Sequence, residues 1–180
     1  MKMNYLLNIL SDDRKGLMSI ITSMLNRKGI EIESISAAKT DIHTQVLINI
    51  QVIAHDADIK LMAFKIENII EVYKVEVELL QHAAYQKVAL YTLLKQGYST
   101  PINNQIQKYG AIIVGYDNDV ITIQKTGRDE DIQLLYNAIE GKYLKSFSKS
   151  AVISLKAITV DDDTVISKAA SITNIKSLCS

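Results

Sequence analysis

The sequence predicts an α+β fold built as two tandem βαββαβ modules, residues 1–80 and 86–157, followed by a tail of residues 158–180. Three observations carry that reading. Apolar residues recur with period two in some segments and with helical spacing in others. The order strand, helix, strand, strand, helix, strand is completed once and then repeated. Between the repeats, around residues 81–86, the pattern breaks.

In the first module, Met3, Tyr5, Leu7 and Ile9 alternate along residues 3–10, the spacing of a strand with one face inward. The polar stretch Ser11-Asp12-Asp13-Arg14-Lys15 follows. Leu17, Ile20, Ile21, Met24 and Leu25 then form the apolar stripe of an amphipathic helix. Arg27 and Lys28 suit the negative end of that helix, and Gly29 suits the position after it. Strands are expected near residues 31–38 and 44–53, joined by a hairpin over Lys39-Thr40-Asp41-Ile42-His43. Ile59, Met62, Ala63 and Ile66 mark a second helix, and residues 69–79 a closing strand.

The second module opens with a strand at residues 88–94 and a turn at Gly97-Tyr98-Ser99-Thr100-Pro101. Thr100 is the expected N-cap and Pro101 the first residue of a helix with Ile102, Ile106 and Tyr109 inward. Residues 111–116 and 120–126 flank the tight hairpin Asp117-Asn118-Asp119. Asp129 is the expected cap of a helix carrying Ile132, Leu135, Tyr136 and Ile139, and residues 144–157 end the unit as a strand.

Each module is then a ferredoxin-like sandwich, two helices against one face of a four-stranded antiparallel sheet. In the first, Val46, Leu47, Ile48, Ile50, Val52 and Ile53 look apolar on both faces, which makes a homodimer the economical expectation. The tail reads as a short helix or a weakly ordered end, the latter favoured.

Composition excludes several function classes. Hydrophobic residues make up 48% of the chain, enough for a packed core. Formal net charge is zero, against a nucleic-acid surface. The third strand of the first module, residues 44–52, also lacks the aromatics on which an RNA-recognition sheet stacks bases. Cys179 is the single cysteine, so no internal disulfide forms, and a reducing cytoplasm is expected. The first ten residues are too short and too broken by asparagine for a signal peptide, and no apolar run is long enough to span a bilayer.

A search for catalytic chemistry finds none. His43, His55 and His82 have no ligand-like spacing, so no metal site is expected. Gly110 and Gly115 have the glycine spacing of a phosphate loop, but Tyr116-Asp117 stands where its Lys-Ser/Thr is required. There is no Gly-x-Ser-x-Gly elbow. The acidic run Asp129-Glu130-Asp131 reads as helix capping on an exposed segment. What remains is the loop of residues 11–16. A helix N-terminus there favours an anion such as an amino-acid carboxylate, Gly16 allows close backbone approach, and Asp12 and Asp13 cap the helix or receive an ammonium group. A capped helix with no ligand accounts for the same residues equally well.

The loop, Gly16, the amphipathic helix, Arg27-Lys28-Gly29 and Ile30-Glu31-Ile32-Glu33-Ser34-Ile35 together resemble the start of the ACT domain in acetolactate (acetohydroxyacid) synthase small subunits. The resemblance covers residues 1–157, with Val88-Ala89-Leu90-Tyr91 opening the second repeat. It implies that the first module is an ACT domain and that the chain is a regulatory subunit without catalysis of its own. Such a subunit activates a catalytic subunit of branched-chain amino-acid synthesis, and valine or a related amino acid binds between two ACT domains of a homodimer. Thiamine diphosphate, magnesium and FAD are expected on the catalytic partner, and no cofactor on this chain. Effector contacts are implied for Asp13, Arg14, Lys15, Gly16, Leu17, Glu31 and Ile32. Asp13 and Glu31 stand where the family usually has asparagine, so acceptor-only groups replace groups that also donate. A free-standing amino-acid-binding ACT protein of another pathway is the alternative. A small ferredoxin-like hydrolase or isomerase would need an acid, base and nucleophile that the sequence does not assemble.

Overall fold

A computed structural model describes residues 1–42, 44–156 and 158. The expected tail therefore lies outside the described residues except for its first position, and so does His43. The chain divides into two units, one of Met1–Ala84 joined by the described residues from Ser154 to 158, the other of Tyr85–Ile153.

The first unit contains β1 (Met3–Asp12), α1 (Leu17–Arg27), β2 (Glu31–Lys39), β3 (Gln45–Ala54), α2 (Asp56–Glu67) and β4 (Val72–Leu79). Its strands lie in the order β2-β3-β1-β4, with antiparallel pairing throughout. The second contains β5 (Tyr85–Leu94), a short 3₁₀ turn (Lys95–Gly97), α3 (Thr100–Lys108), β6 (Ile112–Tyr116), β7 (Val120–Gly127), α4 (Asp129–Ile139) and β8 (Leu144–Lys149); the two-residue β9 (Ile153–Ser154) falls where the chain passes from the second unit back to the first. Its order, β6-β7-β5-β8, repeats that of the first. Both units thus have the expected ferredoxin-like plan.

The cores form where the periodicities place them. Tyr5, Leu7 and Ile9 of β1 and Ile48, Ile50 and Val52 of β3 face Leu17, Ile21 and Leu25 of α1 and Ile59, Met62 and Ile66 of α2. In the second unit Ala89, Tyr91 and Leu93 meet Ile121 and Ile123, with Ile106 and Ile132, Leu135 and Ile139 above them. Ile20 departs from its expected stripe. It lies on the outer side of α1 and is 52% exposed.

Local corrections follow from hydrogen bonding. β4 starts at Val72, because residues 69–71 form a turn closed by the Val72 N–H on the Ile69 carbonyl at 3.0 Å. Ser99, not Thr100, occupies the N-cap of α3. Asp129 does not cap α4. The cap position is Arg128, whose N–H donates to the Asp131 carboxylate at 3.1 Å. The expected strand of residues 144–157 breaks after Lys149, where the Ser150 hydroxyl accepts from the Val88 N–H at 2.9 Å, and resumes only as the two-residue β9; its last position, 157, lies outside the described residues.

The second face of the first sheet is also buried, but it mixes leucines with amides where an apolar face was expected. Leu6 and Leu10 on β1 flank Asn8, and Asn49 and Gln51 alternate with the core residues of β3. Asn49 Nδ2 donates to Asn8 Oδ1 at 3.0 Å, and Ser36 Oγ on β2 approaches Asn49 Oδ1 at 3.4 Å. The Ser154 N–H donates to the same Oδ1 at 3.3 Å. Asn8 stands opposite Glu76 of β4. Lys156 Nζ lies 2.9 Å from Glu76 and 2.6 Å from Glu78, so the chain after Ser154 is tied to this face by charge as well.

Candidate effector site

The loop between β1 and α1 is built by backbone bonds. The Asp12 N–H donates to the Glu71 carbonyl, and the Asp13 N–H to the Thr44 carbonyl, each at 2.8 Å. These two bonds tie the loop to the segments entering β4 and β3. The Leu17 N–H turns back to the Arg14 carbonyl at 3.3 Å. Gly16 takes the N-cap position of α1 with φ 87°, a left-handed conformation that a residue with Cβ adopts only at a cost. No side chain caps this helix. The N–H groups of its first turn are therefore not capped by a side chain.

Neither aspartate therefore acts as the cap. Asp12 Oδ1 accepts from the Tyr73 hydroxyl at 2.5 Å, and burial together with this carboxylate pushes the Tyr73 hydroxyl up to about 12. Asp13 Oδ2 is 2.9 Å from Lys39 Nζ at the end of β2, and that carboxylate holds the lysine pKa above its ordinary value. Arg14 pairs with the nearly buried Glu71. Lys15 is exposed. Leu17 is buried in the core with Ile21 and Leu25. Three carboxylates (Asp12, Asp13, Glu71) and three cations (Arg14, Lys15, Lys39) thus lie on or beside one turn, where Asp13 pairs with Lys39 and Glu71 with Arg14. Sequence reasoning missed Tyr73, Glu71 and Lys39, which reach the loop from β4, its entry turn and the far end of β2. No local pattern marks such contacts.

Glu31 and Ile32 lie elsewhere in the chain. Glu31 is exposed at the start of β2, opposite Ile53, and Ile32 packs half-buried against the core. The loop instead adjoins the other end of β2, through Lys39. Eight residue steps at ~3.3 Å each separate Glu31 from Lys39 by ~25 Å. The chain therefore brings Asp13, Arg14, Lys15, Gly16 and Leu17 together and leaves Glu31 and Ile32 apart from them. β2 is an edge strand bonded only to β3 within its sheet.

Among the described residues, no group of three or more His, Cys, Asp or Glu is placed to hold a metal ion. No helix among them is long and apolar enough to cross a membrane.

No family model matches the chain. The acetolactate synthase small subunit of Mycobacterium bovis is 20% identical over 150 residues, 83% of this chain and 89% of that protein. The acetolactate synthase small subunit of Mycolicibacterium smegmatis is 21% identical over 83% of this chain and 88% of its own. Among solved structures, the acetolactate synthase small subunit of Thermotoga maritima superposes with a TM-score of 0.75 at 18% identity. That match covers 87% of this chain and 99% of that one. The resemblance read from the residues is borne out: across both βαββαβ units the chain is similar in sequence to acetolactate synthase small subunits, and it shares their ACT-like ferredoxin fold.

Proposed function

We propose that the chain is the regulatory subunit of an acetolactate synthase, that it activates a separate thiamine-diphosphate catalytic subunit, and that it has no catalysis of its own. The observation that carries this reading is the extent of the similarity, which runs through both units and nearly the full length of the relatives. Thiamine diphosphate, magnesium and FAD belong to the catalytic partner.

The effector site is completed by a second protomer. If two β2 edges pair antiparallel about a two-fold axis, the start of each strand meets the end of the other. Glu31 of one protomer then approaches the partner's Asp13. An amino acid such as valine places its carboxylate at the uncapped turn before α1, near Gly16, and its ammonium among the carboxylates. Asp13 and Glu31 attract that ammonium but donate nothing to the carboxylate. A lost buried hydrogen bond is worth about 1–3 kcal/mol, the size of a whole allosteric coupling. Activation therefore outlasts feedback in this chain.

The test is reconstitution with a purified catalytic subunit, assaying condensation of pyruvate while valine, leucine and isoleucine are titrated. Addition of the chain raises the rate, and inhibition by valine is weak. The double variant D13N/E31N becomes more valine-sensitive, by about tenfold or more in the inhibitory concentration. No stimulation of the catalytic subunit sinks the regulatory reading. Strong inhibition of the natural chain at low valine sinks the feedback part alone.

A further inference from the structure

The helix layer of the first unit is not a plain solvated surface. Ile20 on α1 is 52% exposed, and Leu61 and Phe64 on α2 are 45% and 65% exposed. An open cleft of about 340 Å³ lies between the helices, lined by Met24, Arg27, Lys28, Met62 and Lys65. Residues three, four and seven apart share a helix face, so Ile20, Met24, Arg27 and Lys28 form one line and Asp58, Leu61, Met62 and Lys65 another. Lys28 Nζ sits 2.9 Å from Asp58 Oδ1, which sets the end of α1 against the first turn of α2 and lays the two lines side by side, running antiparallel. The result is a floor of two methionines, the part-exposed Met24 and the core residue Met62, with Arg27, Lys28 and Lys65 along the rim and Asp58 paired to Lys28. Arg27 and Lys65 have no ion-pair partner among the described residues.

We propose that this groove is the surface that docks the catalytic subunit, and that it receives an acidic amphipathic helix of that partner; the proposal rests on the regulatory-subunit reading above. Three features select the occupant. The groove is at most as long as α1, 11 residues or ~16 Å, the length of a few turns of helix. An apolar stripe flanked by Asp and Glu matches its floor and rim, and methionine side chains repack around whatever stripe is presented. A second copy of this chain would set Arg27 and Lys65 against the same cations, so self-association through this face is disfavoured. A small anion would find no buried polar group to orient it, and the floor is hydrophobic.

The experiment measures the affinity of the full chain for a purified catalytic subunit by biolayer interferometry at two salt concentrations, together with activation of pyruvate condensation. The charge-reversal variant R27E/K65E and the truncation L61S each weaken binding about tenfold or more, and activation is lost in parallel. R27E/K65E also flattens the salt dependence. All three substituted residues are exposed, and far-ultraviolet circular dichroism verifies that each variant is folded. Y116S, at an exposed tyrosine of β6, binds as the natural chain does. If the natural chain binds and both groove variants match it, the groove is not the docking surface. If Y116S is the variant that weakens binding, the second unit's sheet is the docking surface and the groove is overturned. If the natural chain itself does not bind, the regulatory-subunit reading fails and the groove loses its assigned occupant.

Discussion

Asp129 was expected to cap a helix and instead joins three other side chains. Lys87 Nζ lies 2.8 Å from it, the Tyr85 hydroxyl donates to it at 3.2 Å, and Lys149 completes an ion pair. Lys87 is 4% exposed, so its charge is compensated inside the protein rather than by water. Burial alone would raise the Asp129 pKa, but the bonds from Lys149 and Lys87 outweigh it and hold the carboxyl below its ordinary value. A carboxyl depressed in this way contributes stability above its unfolded value, about pH 4, and that contribution drains away as the pH falls through the folded value. Urea unfolding of the natural chain should therefore weaken between pH 5 and pH 3, with D129N flatter across the same window. At pH 7, D129A should cost about 2–3 kcal/mol, because removing the carboxylate from beside a buried ammonium costs more than removing an exposed pair. A variant as stable as the natural chain would show that the cluster does not contribute. The acidic run was visible in the sequence, but its role was not. The two lysines come from strands 42 and 20 residues away, and capping was the only partner a local reading could offer.

At the scale of elements, order and type were legible because burial enforces periodicity. The stripes of α1 and α2, Leu17-Ile21-Leu25 and Ile59-Met62-Ile66, are the residues that close the first core. Boundaries were legible only where backbone chemistry signals them. Gly16 is such a signal, since its left-handed φ starts α1 without a side-chain cap. Gly97 is a glycine for another reason. A Cβ there would collide with the Cβ and ring of Tyr143, and a Cβ cannot rotate away. At Gly16 an added Cβ meets nothing within 4 Å, so only the backbone conformation resists substitution. G16A should then cost about 1–2 kcal/mol of stability, and G97A more, with a larger drop in thermal midpoint. Equal midpoints for the two variants would refute this distinction. The face of β3 opposite the core was misread because, over the whole strand, valines, leucine and isoleucines outnumber amides, although Gln45, Asn49 and Gln51 all fall on that one face. Buried Asn49 and Gln51 show that hydropathy of a strand does not say whether its second face is greasy or hydrogen-bonded.

For the whole molecule, the candidate site was half legible. The turn from Asp13 to Gly16 assembles within one chain, whereas Glu31 and Ile32 sit ~25 Å along β2, a separation no single protomer closes. If the two-fold pairing of β2 edges is right, sedimentation of the purified chain gives about twice 20.1 kDa, and a monomer at micromolar concentration would remove the proposed effector site. The return of Ser154 and Lys156 to the first unit was equally hidden, since a pattern reading follows the chain forward and assigns each segment to the module just completed. The amides on the second face of the first sheet have a consequence for how this fold is chosen over its near misses. Asn8 and Asn49 meet only when β1 and β3 are aligned as observed. Sliding β1 by a single residue would turn every side chain over, pushing Asn8 into hydrocarbon and lifting Tyr5, Leu7 and Ile9 out of it. The pair works as an index mark between two strands otherwise rich in interchangeable leucine, isoleucine and valine, penalising each wrong alignment by stranding an amide.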